Sequence, residues 1–251
     1  MSQSGAITAA VLVIGDEILS GRTQDTNSNS IARFLGSLGI DLKEIRVVAD
    51  VEAEIVAALN ALRARYTYVF TTGGIGPTHD DITADAVARA FGVGIDYHPE
   101  ALEMLAARFK PGEFNEMRRR MARVPTGASL VKNSVSTAPG FQIENVFVMA
   151  GVPMIMQAML LELAPRLTRG TVVHAVTISA AIGEGTIAAA LAQLQREHAT
   201  VAIGSYPAFG PGGVSVQLVV RGRAVAEVEK AAQEIEEIVR AAGAEPSRRS
   251  S

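Results

Sequence analysis

Cysteine is absent from the 251 residues. That rules out disulfides, zinc–thiolate centres and cysteine nucleophiles, and it fits a cytoplasmic protein. A dominant charge is missing as well: 23 Lys and Arg against 26 Asp and Glu leave a net −3. Such a balance offers nucleic acid no electrostatic footprint, so no nucleic-acid partner is expected. The basic cluster of note is Arg118, Arg119, Arg120 and Arg123, in a segment that reads as helix. No apolar run approaches transmembrane length, and Met1 to Ile14 lacks the basic start of a signal peptide. No membrane partner is expected. The G-x-S-x-G elbow, the Walker A lysine and H-E-x-x-H are also missing, which withdraws support from those enzyme classes.

What is present is an ordinary globular composition, 48% hydrophobic and 20% charged, in a chain long enough for one large domain or two smaller ones. Ile7 to Ile14 reads as a buried strand, followed by a loop from Gly15-Asp16-Glu17 to Asp25-Thr26-Asn27. Ile31, Phe34, Leu35 and Leu38 then recur at helical spacing, and Gly39 marks a stop. Leu42–Val48 predicts a second strand, Val51–Arg65 a helix, Tyr68–Thr72 a third strand and Asp81–Phe91 another helix. This β-α rhythm argues for an α/β fold, an open and mostly parallel sheet with helices on both faces. A helical region over Pro99–Arg123 is interrupted at Lys110-Pro111-Gly112, and Phe141–Ile143 with Val146–Met149 predicts a hairpin closed at Glu144-Asn145.

Thr168-Arg169-Gly170 marks the boundary between two domains. Residues 1–168 form the first, residues 171–245 a small βαββα unit of α+β type, and residues 246–251 a flexible tail. Within the small unit the predicted strands are Val172–Ser179, Val201–Ser205 and Val214–Arg221, the last two joined by the turn-rich Tyr206–Gly213.

The densest signal is Thr71-Thr72-Gly73-Gly74-Ile75-Gly76-Pro77-Thr78-His79-Asp80-Asp81-Ile82-Thr83. Three glycines within four residues let backbone N–H groups approach a bound group closely. The loop leaves a strand and enters a helix, where α/β sheets bind ligands. Asp80 and Asp81 would repel a bare phosphate, so the pair implies a divalent metal or a proton-transfer role. Asp16, ending a buried strand in Gly-Asp-Glu, faces solvent or a ligand. If the strands are parallel, Asp16 and Asp81 share one sheet edge and can hold a cation together. Asp25, taken alone, reads as a helix cap.

Asn133 and the Ala138-Pro139-Gly140 turn read equally as hydrogen-bond partners for a sugar, base or pterin and as an ordinary turn. Gly183-Glu184-Gly185 followed by Ala188 matches G-x-G-x-x-A. The next strand nevertheless ends in Gly204-Ser205 without the acid that dinucleotide binding requires. Of the histidines, His79 alone stands as a site candidate.

In order along the chain, Ile14-Gly-Asp-Glu-Ile-Leu-Ser-Gly21, Asp25-Thr-Asn27, the glycine loop of Thr71–Thr83 and Ala138-Pro-Gly-Phe141 resemble the N-terminal domain of the competence/damage-inducible protein A (CinA) family. That domain is a relative of the molybdopterin-binding MoaB and MogA proteins. The resemblance covers Ala6 to Leu167, and the segment after it looks like a small KH-type domain. It implies a stand-alone form without the C-terminal deamidase domain, and a three-layer α/β/α fold with a pocket at the strand ends. It also implies hydrolysis of an ADP-ribose- or FAD-type pyrophosphate with magnesium, manganese or cobalt, assisted by potassium. Asp81 and Asp16 would be catalytic and metal-binding, and Gly73, Gly74, Gly76, Pro77, Thr78 and Asp80 would cradle phosphates. Asp25, Asn133, Pro139 and Gly140 would orient the substrate. The alternatives are a molybdopterin protein of molybdenum cofactor metabolism, binding or adenylylating the pterin, and a non-catalytic oligomeric scaffold. Expected partners are a small nucleotide or pterin and further copies of the chain, as a dimer or trimer. The family pattern Pro-Gly-Val-Pro-x-Glu-Met is departed from at Ala150-Gly-Val-Pro-Met-Ile-Met156, with Ile155 in the place of the glutamate, and Ser136 replaces a usual glycine.

Overall fold

The computed structural model describes residues 6–110, 113–210 and 213–250, and the chain divides after Gly170 into two units. In the first, β1 (Thr8–Ile14) is a run of small and branched apolar residues, buried from Ala9 onward. Ala10, Leu12 and Ile14 enter one core while Ala9, Val11 and Val13 enter another. Alternation with both faces apolar is what a strand covered on both sides by helices requires.

Along the chain follow α1 (Asp16–Leu19), α2 (Asn27–Ser37), β2 (Asp41–Val48), α3 (Glu52–Arg65), β3 (Tyr68–Thr72) and α4 (Thr83–Phe91). An excursion comes next: β4 (Ile95–Tyr97), α5 (Pro99–Arg108), α6 (Glu116–Arg119) and β5 (Arg123–Pro125), with β4 and β5 paired antiparallel. The unit closes with β6 (Ser129–Val131), β7 (Gly140–Ile143), β8 (Val146–Met149) and α7 (Pro153–Leu163).

The sheet order is β2-β1-β3-β8-β7-β6. The first four strands run parallel, and β7 and β6 are antiparallel additions. Ile55, Leu59 and Leu62 of α3 and Ala86, Val87 and Ala90 of α4 cover one face. Ile31 and Leu35 of α2 and Met156, Met159, Leu160 and Leu163 of α7 cover the other. Phe70 and Phe147, side by side on β3 and β8, stack at 5.0 Å between ring centroids in that second core. Each fully buried ring contributes roughly 1.5–3 kcal/mol. Because β2 lies on one side of β1 and β3 on the other, the strand order reverses at β1. In open α/β sheets the crevice at such a reversal, outside the carboxyl ends of the strands, is where ligands bind.

The second unit contains β9 (His174–Ala180), α8 (Glu184–Glu197), β10 (Val201–Gly210), β11 (Gly213–Gly222), α9 (Val225–Ala241) and β12 (Ser247–Ser250). Its sheet, β10-β11-β9-β12, is antiparallel throughout. Val176, Ile178, Leu218 and Val220 pack against Ile187 and Leu191 of α8 and Val228, Ala231 and Ile235 of α9, so the helices share one face.

Several expectations are corrected. The helix expected from Asp81 begins at Thr83, so both aspartates belong to the loop. The expected loop after Gly15 starts with one helical turn, α1. Tyr206–Gly210 continues β10 instead of turning; Pro207 is tolerated because β10 is an edge strand. The expected tail forms β12, whose Arg248 pairs with Glu229 and Glu236 of α9. The parts of those expectations that fall on Pro111, Gly112, Pro211, Gly212 and Ser251 lie outside the described residues.

Candidate functional site

The loops after the parallel strands abut one another at the carboxyl edge. The Gly15 N–H donates to the Val48 carbonyl at 3.2 Å, joining the ends of β1 and β2, and the Gly73 N–H donates to Met149 at 3.2 Å, joining β3 and β8. A Cβ on Gly73 would lie 2.1 Å from the Ile14 carbonyl oxygen, and one on Gly151 would lie 3.3 Å from the Gly73 Cα. Glycine is required at Gly73 by that contact and by a φ of 111°, and is favoured at Gly74 by a φ of 66°, while the Gly151 contact is merely tight.

Polar side chains lock this edge. The buried Thr83 hydroxyl donates to the Gly73 carbonyl at 2.9 Å. Asn27 is 7% exposed, and its amide NH2 donates to Thr72 Oγ1 at 2.8 Å and to the Gly151 carbonyl at 2.7 Å. Its Oδ1 is buried and has no partner. The Thr72 hydroxyl in turn donates to the Ala150 carbonyl at 2.9 Å. Between these anchors the N–H groups of Gly74, Ile75 and Gly76 donate to no protein group among the described residues. Three free donors in consecutive residues form a nest for an anion.

Two shallow clefts flank the loop. One is lined by Gly74, Ile75, Gly76, Asp81 and Asp85 together with Arg120, Arg123, Pro139 and Phe141. The other is lined by Glu17, Asp25, Asn27, Thr72, Gly73 and Gly151. The first is rich in donors and the second in acceptors.

The predicted residues sort unevenly between them. Asp81 lines the first cleft, and its Oδ2 accepts from the Thr78 N–H at 2.7 Å and from the Thr78 hydroxyl, closing the loop on itself. Pro77 is half-buried within the loop, while Thr78, His79 and Asp80 are exposed and line neither cleft. Asp25 Oδ1 accepts from Asn27 and Ser28 N–H groups at 2.9 and 3.1 Å, organising the start of α2 at the rim of the second cleft. Pro139 lines the first cleft; Gly140 is needed because a Cβ there would lie 2.1 Å from the Val148 carbonyl oxygen. Asn133 must be reassigned. Its NH2 donates to Ala138, and its Oδ1 accepts from Val135, Ser136 and the Ser136 hydroxyl, so the whole amide is committed to the turn.

Asp81 lines the first cleft, whereas Asp16 lines neither. The exposed Asp16 neighbours Asp50, whose Oδ2 accepts the Asp16 N–H at 2.9 Å. Burial, then the nearby charges of Asp16, Glu17 and Asp80, push the Asp50 carboxyl above its ordinary value, against the lowering effect of that hydrogen bond. Asp50 was missed in the sequence, although it follows β2 as Asp16 follows β1. Arg120 and Asn27 were missed as well. Among the described residues no three His, Asp or Glu side chains are placed to hold a metal ion. Ile155 is half-buried against the second core, which an apolar residue suits.

Comparison with known proteins places these features in context. Residues 10–169 match the family described as probable molybdopterin binding domain, and residues 172–247 match FAD synthase, middle domain. A protein of Archaeoglobus fulgidus is 34% identical over 91% of this chain and 96% of its own length. A CinA-like protein of Citrifermentans bemidjiense is 43% identical over 63% of this chain and 40% of that protein, so the chain spans less than half of that relative. The crystal structure of the protein CinA, of unknown function, from Thermoplasma acidophilum superposes with a TM-score of 0.62 at 32% identity. It covers 65% of this chain and 99% of that one.

Proposed function

The chain belongs to the molybdopterin-binding-domain family, in its CinA-like form, and from that premise we propose that its first unit hydrolyses the phosphoanhydride of a nucleoside diphosphate-linked metabolite such as ADP-ribose or FAD. The observation that carries the reading is the trio of unpaired N–H groups at Gly74, Ile75 and Gly76, set beside carboxylates at the ends of parallel strands. These donors take up phosphate oxygens and the negative charge that grows on them as the bond breaks. Water attacks one phosphorus, the bridging oxygen leaves with the other phosphoryl group, and the water's proton passes to a carboxylate. Asp50, raised above its ordinary value by burial and its acidic neighbours, is the best-suited acceptor. Asp81 holds the loop in its receptive shape through Thr78. A divalent cation enters this reading as a companion of the substrate's phosphates, as magnesium commonly does. The second unit's match to the FAD synthase middle domain favours a flavin dinucleotide among the candidate substrates and replaces the KH-type relationship in this proposal.

The test is product analysis after incubation with ADP-ribose, FAD or NAD and magnesium, manganese or cobalt. Turnover that falls at least tenfold in Asp50→Asn and in Asp81→Ala supports the reading. Absence of turnover with every pair, or turnover untouched by both substitutions, overturns it.

One observation favours a second reading, a molybdopterin-binding protein. Asn27 Oδ1, buried and unpartnered, lines the second cleft as an acceptor suited to the N–H groups of a pterin. A pterin retained in native mass spectra, with no cleavage of any diphosphate, would select it. Self-association belongs to the same proposal: Met154 and Leu161 on α7 are 66% and 72% exposed, and sedimentation reads the assembly state directly.

A further inference from the structure

We propose that Arg120 grips the second phosphoryl group of the ligand and so makes the first cleft selective for diphosphates over monophosphates. This deepens the reading of the first unit as a nucleotide pocket and rests on it. Four arginines crowd the segment from α6 to β5, and the structure gives three of them occupations. Arg118 lies 4.3 Å over the Phe109 ring and donates to the Glu113 carbonyl. Arg119 lies 5.4 Å over the Tyr97 ring. Arg123 forms a fork with Asp85, at 2.8 and 2.6 Å, within the cleft itself. The Arg120 guanidinium has no hydrogen bond, ion pair or ring contact among the described residues, yet the residue is half-buried and lines the same cleft as Gly74–Gly76.

The charges within the cleft decide what this cation is for. Asp85 is neutralised by Arg123, and Asp81 is folded onto Thr78. Neither carboxylate bonds Arg120. Its backbone is fixed at the head of the short 3-10 turn Arg120–Ala122, whose Ala122 is fully buried. A guanidinium without an anion, lining the same cleft as three free N–H groups, is half of an anion clamp. The N–H trio suffices for one phosphoryl group. The guanidinium in the same cleft takes a second, and a ligand with two adjacent phosphoryl groups supplies both.

The experiment is calorimetric titration of the whole chain with ADP and with AMP, in the wild type, Arg120→Gln and Arg120→Lys. The wild type is expected to bind ADP more tightly than AMP. Arg120→Gln should lower ADP affinity about ten- to hundredfold, the scale of a lost charge-assisted hydrogen bond, and AMP affinity far less, so that the preference collapses. Arg120→Lys should restore part of the preference. Thermal melts of the variants report their folding, and should Arg120→Gln not fold, the ADP-to-AMP ratio of Arg120→Lys decides. An unchanged ratio in a folded variant overturns the role of Arg120 and leaves the nucleotide reading standing. A wild type that binds neither nucleotide overturns that reading, and this inference with it.

Discussion

The backbone N–H of Asp16 donates to the carboxylate of Asp50 across 2.9 Å, tying the loop after β1 to the loop after β2. The bond gathers acids at one place: Asp50 also lies within the fields of Asp16, Glu17 and Asp80. The carboxylates near the glycine loop therefore divide in two. Asp81 serves the loop's shape, whereas Asp50 is held under electrostatic load beside it.

That load has a sign. A carboxyl whose value is raised on folding binds its proton more readily in the folded state. Stability is then full at low pH and falls as pH rises from the unfolded value of about 3.8 through the folded one. Asp50→Asn removes the charge and keeps an oxygen to accept the Asp16 N–H. The variant is expected to melt at a higher temperature than the wild type at pH 7 and to equal it near pH 3. Melting curves across pH 3 to 7 check this; a variant destabilised at neutral pH would show that the charge supports the fold.

Gly74→Ala and Gly73→Ala separate backbone conformation from ligand chemistry. At Gly74 a Cβ would sit 2.2 Å from the Thr83 hydroxyl oxygen, at φ 66°; at Gly73 it would meet the Ile14 carbonyl. Positive φ alone costs about 1–2 kcal/mol for a residue with a Cβ, and the contacts add to it. Gly73→Ala should be the more damaging, because a backbone carbonyl cannot swing away as the Thr83 hydroxyl can. Urea unfolding compares the two directly, and equal losses would contradict the ranking.

The sheet and the glycine loop were legible because their signals are local. β1 is an unbroken apolar run, and three glycines in four residues have few structural uses. Asn133 misled because an amide at a turn reads alike whether it faces a ligand or its own backbone; only the four bonds it makes decide. Asp81 reads as a metal ligand or a proton-transfer group because sequence cannot show Thr78 folding back on it. Arg120 was hidden in a run of arginines whose partners, Phe109, Tyr97 and Asp85, come from elsewhere in the chain. Ser247–Ser250 read as a tail because Arg-rich polar ends usually are, and what orders them is pairing with β9 and the acids of α9.

The strand β12 gives a prediction for the second unit. Deleting residues 246–251 uncovers the edge of β9 and leaves Glu229 and Glu236 without Arg248. The ion pairs are partly exposed and worth little, about 0–1 kcal/mol each; the uncovered edge matters more, since an unpaired strand invites pairing with another chain. The truncated protein should aggregate at lower temperature, while Arg248→Ala alone should shift melting by only a few degrees. Light scattering during a thermal ramp distinguishes them.

Asn27 carries the sharpest consequence for the site. Its NH2 holds Thr72 at the end of β3 and Gly151 after β8, so one side chain fixes the spacing between the two loops. Asn27→Ala leaves the buried Thr72 hydroxyl oxygen and the part-buried Gly151 carbonyl without their donor, a loss of about 1–3 kcal/mol. Asn27→Asp retains the shape but sets a carboxylate against that carbonyl and beside Asp25 and Glu17, which line the same cleft. The aspartate variant should therefore be the less stable at pH 7 and recover toward the alanine variant as the new carboxyl is protonated. Since Oδ1 is the unpartnered acceptor of the second cleft, the alanine substitution, which removes it, should also weaken a ligand reaching that cleft and spare one confined to the Arg120 side. Titration with FAD and with ADP separates these cases: a loss confined to FAD places its flavin half against Asn27, and an equal loss for both means that Asn27 acts only by holding the loops together.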